Sequence, residues 1–363
     1  MVRAPRGPSL ASVAEALQLS NATVSNAYNR PDKLSAELRA QILAYAATVG
    51  YAGPNPVARQ LSRGRTDTIG LVFSNELTYA FAHQAAVGFL DGLTSVCEGT
   101  EYNLLIIPTG ATAGDRRVSK ISSAAVDGII VYSPPDGDVR LEAVLHRNEP
   151  VVVVEGPKMP KRAAWVGLDD REAGKTVANH LLGLGHRQFG LITFARGLRP
   201  SPGIIAPANV AGGEYRVPRE RIVGVVDALS TAPGTQLTVF ECSQGPSSRE
   251  AGAAATTALL DVRPDITAII CLDDAFALGA LDAARQRALN VPEQLSVTGF
   301  DDIPEAEWAG LTTIHQPLKR KGEIAASLVL DAKEHARRRH SVVVLPCELR
   351  VRRTTAKVRK RSR

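Results

Sequence analysis

"LSNATVSNAYNRPDKLS", Leu19 to Ser35, decides how the rest of the chain is read. Ser20 and Ser35 each stand just before a helix-forming run. A short hydroxyl side chain there can accept from an unsatisfied backbone N–H and start a helix. From Ser20 the run reaches Tyr28. At about 100° per residue, Val24, Ala27 and Tyr28 fall on one side, and Asn21, Ala22, Ser25 and Asn26 on the other. The first side is apolar and can enter a core. The second is polar yet carries no charge.

Upstream, Ser9 precedes "LASVAEALQLS", in which Val13, Ala14 and Leu17 share a helical face. Only a few residues separate the two runs. This is the helix-turn-helix arrangement, with its second helix free to enter a major groove. Asn can pair bidentately with adenine and Ala can touch a thymine methyl. Ser25 is short enough to reach a phosphate. A solvated face with no partner is the plainer alternative. Downstream, Ser35 starts a third helix with Leu38, Ile42, Tyr45, Ala46 and Val49 as its stripe, and Gly50 stops it. Residues 1–53 are expected to form one small all-α head.

"YAGPNPVARQLSRGRTDTIGLVF" follows, Tyr51 to Phe73. Asn55-Pro56 is a helix start with Pro at the first position. The helix Val57–Ser62 is too short to be stable alone. Leu61 lies on it among Arg59, Arg63 and Arg65. An apolar wedge between cations suits insertion into a minor groove, which kinks the duplex; an ordinary interdomain linker would look similar. Residues 54–66 are read as a hinge helix and linker.

Charge supports a polyanion partner at the ends of the chain. The net charge is +6 over 363 residues, but residues 1–65 hold eight Lys/Arg against three acids, and residues 350–363 hold eight with no acid. The remainder is acidic. Basic ends on an acidic body fit a terminus that binds nucleic acid rather than a uniformly sticky surface. A hydrophobic content of 44% with 22% charged residues reads as globular, and the length calls for two or three domains. Cys97, Cys242, Cys271 and Cys347 have neither metal-ligand nor disulfide-framework spacing. No signal-peptide h-region and no bilayer-length apolar run is visible, so a cytoplasmic protein without a membrane partner is expected.

From Thr68 short apolar runs alternate with longer helical stretches. Strands are expected at Ile69–Phe73, Asn103–Ile107, Gly128–Tyr132, Val151–Glu155, Gln188–Thr193, Leu237–Glu241, Ala268–Leu272 and Leu295–Gly299. Helices are expected at Phe81–Cys97, Glu172–Leu184, Arg249–Leu260 and Ala275–Ala288. Repeated βα units give parallel sheets covered by helices, which bind ligands beyond the carboxyl ends of their strands. There is no GxGxxG after the first strand, no GxxxxGK[ST] and no GxSxG. His180 and His186 flank a helix end and read as capping or packing residues. An enzyme is therefore the weaker class, and no cofactor or metal is expected.

Residues 12–73, through "VAEALQLSNATVS", "VGYAGPNPVARQL" and "TDTIGLVF", resemble the DNA-binding head and hinge of the lactose-repressor/galactose-repressor (LacI/GalR) family. Ser12 departs from the family's usual Asp, which bears on a local cap. The resemblance makes Asn21, Ala22 and Asn26 base-reading positions and Leu61 the hinge wedge. "AVDGIIVYS", "EPVVVVEGP", "VGLDDREAGKTVANHLLGLGHRQFGLIT", "RIVGVVDAL", "ITAIICLDDAFALGALDAARQRALNVPEQLSVTGFDDIP" and "LTTIHQPLKRKGEIAASLVLD" resemble the family's effector-binding core, which is similar to periplasmic sugar-binding proteins.

This implies two interleaved, doubly wound parallel-sheet subdomains over residues 67–350, with a ligand in the cleft between them. By position, Asp274 matches a strand-end acidic ligand residue, Arg221 a ligand-binding arginine, Asp301 an acid near the cleft floor, and Phe81 an apolar contact. Asp169 is a further candidate. Asp and Arg suit adjacent sugar hydroxyls because both make paired hydrogen bonds. Gly156-Pro157 stands where purine-binding relatives carry an aromatic, which argues against a stacked base.

Arg196–Glu214 is a Gly/Pro/Ala-rich insertion expected to edge or cover the cleft. Residues 351–363 read as a disordered basic tail with some attraction for phosphate. The tail has no leucine heptads, so a homodimer rather than a tetramer is expected. The resulting expectation is a dimeric repressor that binds double-stranded operator DNA under control of a sugar-like effector. A solute-binding protein, or a sugar or nucleoside enzyme using the same cleft, is the alternative.

Overall fold

The computed structural model describes residues 8–54, 64–73, 77–109, 115–158, 162–243, 245, 247–334 and 340–358. Leu61 and Arg59, with the expected hinge helix, lie outside the described residues. The chain divides into two units, Met1–Thr66 and Asp67–Arg363.

In the first unit each described α-helix begins where a hydroxyl can cap it. Ser9 caps Leu10–Ala16, and Ser12 accepts from the Ser9 N–H at 2.8 Å while Ser9 accepts from the Ser12 N–H at 3.2 Å. The departure at Ser12 therefore builds a reciprocal cap, which satisfies two end donors at once. Ser20 caps Asn21–Asn29 through the Thr23 N–H at 3.0 Å. Ser35 caps Ala36–Thr48 through the Leu38 N–H at 3.2 Å. Gly50, at φ +71, follows the third helix in the left-handed conformation glycine tolerates best. Val13, Ala14, Val24, Ala27, Ile42, Ala46 and Tyr51 form the small core. Val49, expected in the stripe, is exposed. Tyr28 meets Tyr51 edge to face, with ring centroids 5.9 Å apart.

Among the described residues the second unit holds two sheets. Its strands in chain order are β1 (Thr68–Phe73), β2 (Asn103–Ile107), β3 (Gly128–Tyr132), β4 (Val151–Val154), β5 (Ala164–Leu168), β6 (Gln188–Thr193), β7 (Gly203–Ile204), β8 (Gln236–Glu241), β9 (Ala268–Cys271), β10 (Ser296–Asp301), β11 (Thr312–His315), β12 (Val342–Leu345) and β13 (Glu348–Arg350). The first sheet runs β12-β5-β4-β3-β1-β2, all parallel. The second runs β13-β11-β10-β9-β6-β8-β7, parallel except for its edge strands β13 and β7. β1, β3, β4, β5 and β10 are buried along nearly their whole length, as strands covered on both faces must be.

The chain crosses between the halves three times: after β5, between β11 and the helix Leu318–Glu334, and between β12 and β13. Helices Asp170–Gly183 and Arg216–Ser230 pack at close range because two glycines permit it. A Cβ on Gly224 would lie 1.9 Å from the Arg171 carbonyl oxygen, and one on Gly174 would lie 2.2 Å from that of Arg221.

The insertion Arg196–Glu214 adds a strand to the second sheet: β7 pairs with β8, Ile205 is buried with its N–H on the Val239 carbonyl, and the Glu214 carbonyl accepts from the Asp136 N–H of the first half. Two expectations need correction. The stretch Phe81–Cys97 is two helices, Leu77–Ala82 and Gln84–Glu98, broken at His83. Residues 351–358 pack against the second half, with Thr354 buried and bonded to Val297 and Thr312. His180 and His186 hold this segment through Thr355 and the Ala356 carbonyl, which is the packing role expected of them. All four cysteines are free, and burial pushes the Cys242 thiol up to about 12. Among the described residues no helix is long and apolar enough to cross a membrane.

Candidate functional site

On the head, Asn21 and Ala22 are exposed at the start of the second helix, while Ser25 and Asn26 are half-buried. The Ser25 hydroxyl accepts from Asn29 Nδ2 at 3.1 Å, so Ser25 carries a contact inside its own helix. Val24 and Ala27 are fully buried beneath this face. The helix therefore presents a short, uncharged, hydrogen-bonding end on a packed support.

In the larger unit a cavity of about 250 Å³ is lined by His83, Asp273, Asp301, Ser247, Ser248 and neighbouring residues. A chamber of about 40 Å³ shares His83, Asp273 and Asp301 with it and adds Ser133, Glu155, Arg221 and Gln316. The polar groups come from strand ends. Ser133 directly follows β3 with φ +49, Glu155 directly follows β4 with φ +60, and Asp301 ends β10 with φ +111. Non-glycine residues held in such conformations cost about 1–3 kcal/mol each. Three of them around one chamber mark strain concentrated where ligands of parallel sheets bind.

The buried charges form a connected network. Lys321, fully buried, donates to Glu155 and, at 2.6 Å, to the Gln316 side-chain oxygen. Gln316 donates in turn to Asp301. Arg221 donates to Asp170 at 3.0 Å and to the Leu272 carbonyl at 2.9 Å, lies 3.4 Å above the Phe300 ring, and stands 4.0 Å from Asp301. His83 Nε2 and Asp273 Oδ2 are 2.7 Å apart.

Ionisation follows from these pairings. Burial alone would lift the Glu155 carboxyl, but the Lys321 ammonium holds it below its ordinary range. Burial and the neighbouring Asp273 push Asp301 up to about 7, against the opposing pull of Arg221 and His83. Burial would lower His83, but Asp273, Asp301 and Glu155 outweigh it and raise the imidazole above its usual value.

The structure brings Arg221 and Asp301 together at the cavity and separates the other expected effector residues from it. Asp274 is corrected: its carboxylate accepts from the Thr313 hydroxyl at 2.6 Å and the Ile303 N–H at 2.9 Å, inside the second half. Its neighbour Asp273 faces the cavity instead. Asp169 is also corrected, because it is exposed and caps Asp170–Gly183 through the Glu172 N–H at 3.0 Å. Phe81 is 60% exposed and is not among the lining residues.

His83, Asp273, Glu155, Lys321 and Gln316 were missed by the sequence reading. The signal for Glu155 was available: a carboxylate that directly follows four buried valines must be placed for a partner. His83, Asp273 and Asp301 bring ligand atoms within 4.8 Å of one another. The His83 nitrogen nearest the acids already engages Asp273, and the Arg221 cation stands beside Asp301. That donor set suits hydroxyl groups better than a metal ion.

The profile of a periplasmic binding protein-like domain matches residues 178–355. The chain is 42% identical to the HTH-type transcriptional regulator Rv3575c of Mycobacterium tuberculosis, over 90% of this chain and 91% of that one. A crystal structure of a LacI-family transcriptional regulator from Corynebacterium glutamicum superposes with a TM-score of 0.70 at 30% identity, covering 96% of this chain and 98% of the other. The lac repressor dimer bound to operator and an anti-inducer shares the fold, with a TM-score of 0.76 at 22% identity, over 97% and 100% of the two chains.

Proposed function

Because this chain belongs to the LacI/GalR family of transcriptional regulators, we propose that it acts as a homodimeric repressor whose operator affinity is set by a small, sugar-like effector in the cleft of residues 67–350. One observation carries the reading. A single chain holds a capped helix with an uncharged Asn/Ala end and, separately, a buried polar cavity at the ends of two parallel sheets.

Two heads would read successive half-sites of a near-palindromic operator through Asn21, Ala22 and Asn26, with Ser25 near the backbone and Leu61 and Arg59 at the centre. In the cleft, Arg221, Asp301, Asp273 and His83 would hold effector hydroxyls. Coupling between effector and operator of about 1–3 kcal/mol is typical of such linkage. The cavity serves recognition rather than turnover, and the protein works in the cytoplasm, where its operator lies.

The test is footprinting of genomic fragments with purified protein, followed by a thermal-shift screen of sugars and polyols. Enrichment of near-palindromic sites and a saturable stabilisation by a polyol are expected. Conversion of any such ligand to product would favour the enzyme reading.

A further inference from the structure

His83 breaks the run of helix between Leu77 and Glu98 and stands at the start of Gln84–Glu98, a helix packed on the first half of the core. Asp273 stands at the start of Asp274–Gln286, packed on the second half. The two residues are 190 positions apart, and both are less than 9% exposed. Their hydrogen bond joins the two walls of the cleft directly. The ion pair between Arg219 and Asp136 also spans the halves, but it is solvent-exposed, and such pairs contribute little.

We propose that the His83–Asp273 hydrogen bond is a proton-dependent latch between the two halves of the core, so that closing the cleft takes up protons. The inference rests on the reading of the cavity as the effector site and adds a regulatory property to it.

The groups that face His83 set the sign. Asp273 comes from the helix Asp274–Gln286, Asp301 from β10 and Glu155 from the end of β4. Arg221 stands behind Asp301, Lys321 is paired with Glu155, and Arg249 and Glu305 line the outer cavity. Three carboxylates around the imidazole favour its protonated form when the walls are together. Opening the cleft would hydrate His83 and return it toward its ordinary value near 6.5.

Asp301 titrates with the same sign, because its carboxyl is raised to about 7 in the closed arrangement and hydration would lower it. Asp273 is held low, so it is ionised throughout the neutral range and does not reverse the effect. Stabilisation by His83 is full below its ordinary value of about 6.5 and is lost at higher pH; that by Asp301 is full only below its ordinary value of about 3.9 and declines from there until it is lost above about 7, so both groups favour the closed form more at about pH 6 than at about pH 8.

The test is hydrogen–deuterium exchange of the full-length protein at about pH 6 and about pH 8, corrected for the intrinsic exchange rate at each pH. It uses neither DNA nor effector, so failure of the latch would leave the operator-binding reading standing. Amides of residues 84–90 and 272–276 should lose protection at least about threefold between the two pH values; one linked proton allows up to about tenfold per pH unit.

His83→Gln keeps a donor for Asp273 without a titratable ring. Its protection should be closer to pH-independent. His83→Ala should be less protected at both pH values, while peptides over β3 and over residues 216–230 stay protected and report an intact fold. Equal protection in wild type and His83→Ala at about pH 6, or a wild-type response to pH unchanged in His83→Gln, would overturn the proposal.

Discussion

Asp273 and Asp274 share a peptide bond and turn their carboxylates to different tasks. Asp273 reaches His83 across the cleft, and Asp274 turns inward to Thr313 and Ile303. Burial and the nearby Asp301 hold the Asp274 carboxyl well above the usual range, so its neutral form is favoured. Its contribution to stability is present at low pH and is lost as pH rises through its folded value. Asp274→Ala leaves one buried N–H and one buried O–H without their acceptor and should cost about 2–4 kcal/mol. Asp274→Asn should cost less and should flatten the loss of stability on the alkaline side. Urea unfolding at about pH 6 and about pH 9 checks both. Equal stability of wild type and Asp274→Ala would contradict the assignment.

Arg221 is set by the close packing of its own helix. Gly224→Ala drives a methyl group into the Arg171 carbonyl and should destabilise the core by about 3 kcal/mol, which thermal unfolding would read. Arg221→Lys keeps the charge, but a lysine cannot reproduce the guanidinium's simultaneous bonds to Asp170 and the Leu272 carbonyl. Effector-induced stabilisation should fall at least about tenfold in ligand potency, while effector-free operator affinity changes little.

Asn26→Ala should relax base preference at one operator position by about 1–3 kcal/mol, seen by binding selection on randomised duplexes. An equal loss on every sequence would mark Asn26 as a backbone contact.

Leu61→Ala should weaken operator binding and reduce DNA bending, with effector binding intact. Circular-permutation mobility shifts would detect the change in bend.

The head was legible because local chemistry decides it. Ser9, Ser20 and Ser35 mark helix starts, and the 3.6-residue period of Val24 and Ala27 marks the buried face. Runs such as Val151–Val154 made the central strands equally plain. β5 and β11 escaped because their burial comes from the elements packed around them, and β12 because it is an edge strand with Val342 and Val344 exposed, whose partner β5 is distant in sequence. The cavity was only half legible for the same reason. Nothing local distinguishes Asp273 from Asp274, and which one faces the cleft depends on the packing of β10 and β11. His83 needed a partner 190 residues away to acquire meaning.

The most direct test of the central claim is the affinity of the full-length protein for a footprinted duplex, by fluorescence anisotropy, with and without the polyol found by thermal shift. Preference for that duplex over scrambled competitor is expected, with a steep fall with salt and an effector-induced change of about fivefold or more in Kd. Equal affinity for both duplexes, unchanged by ligand, would contradict it.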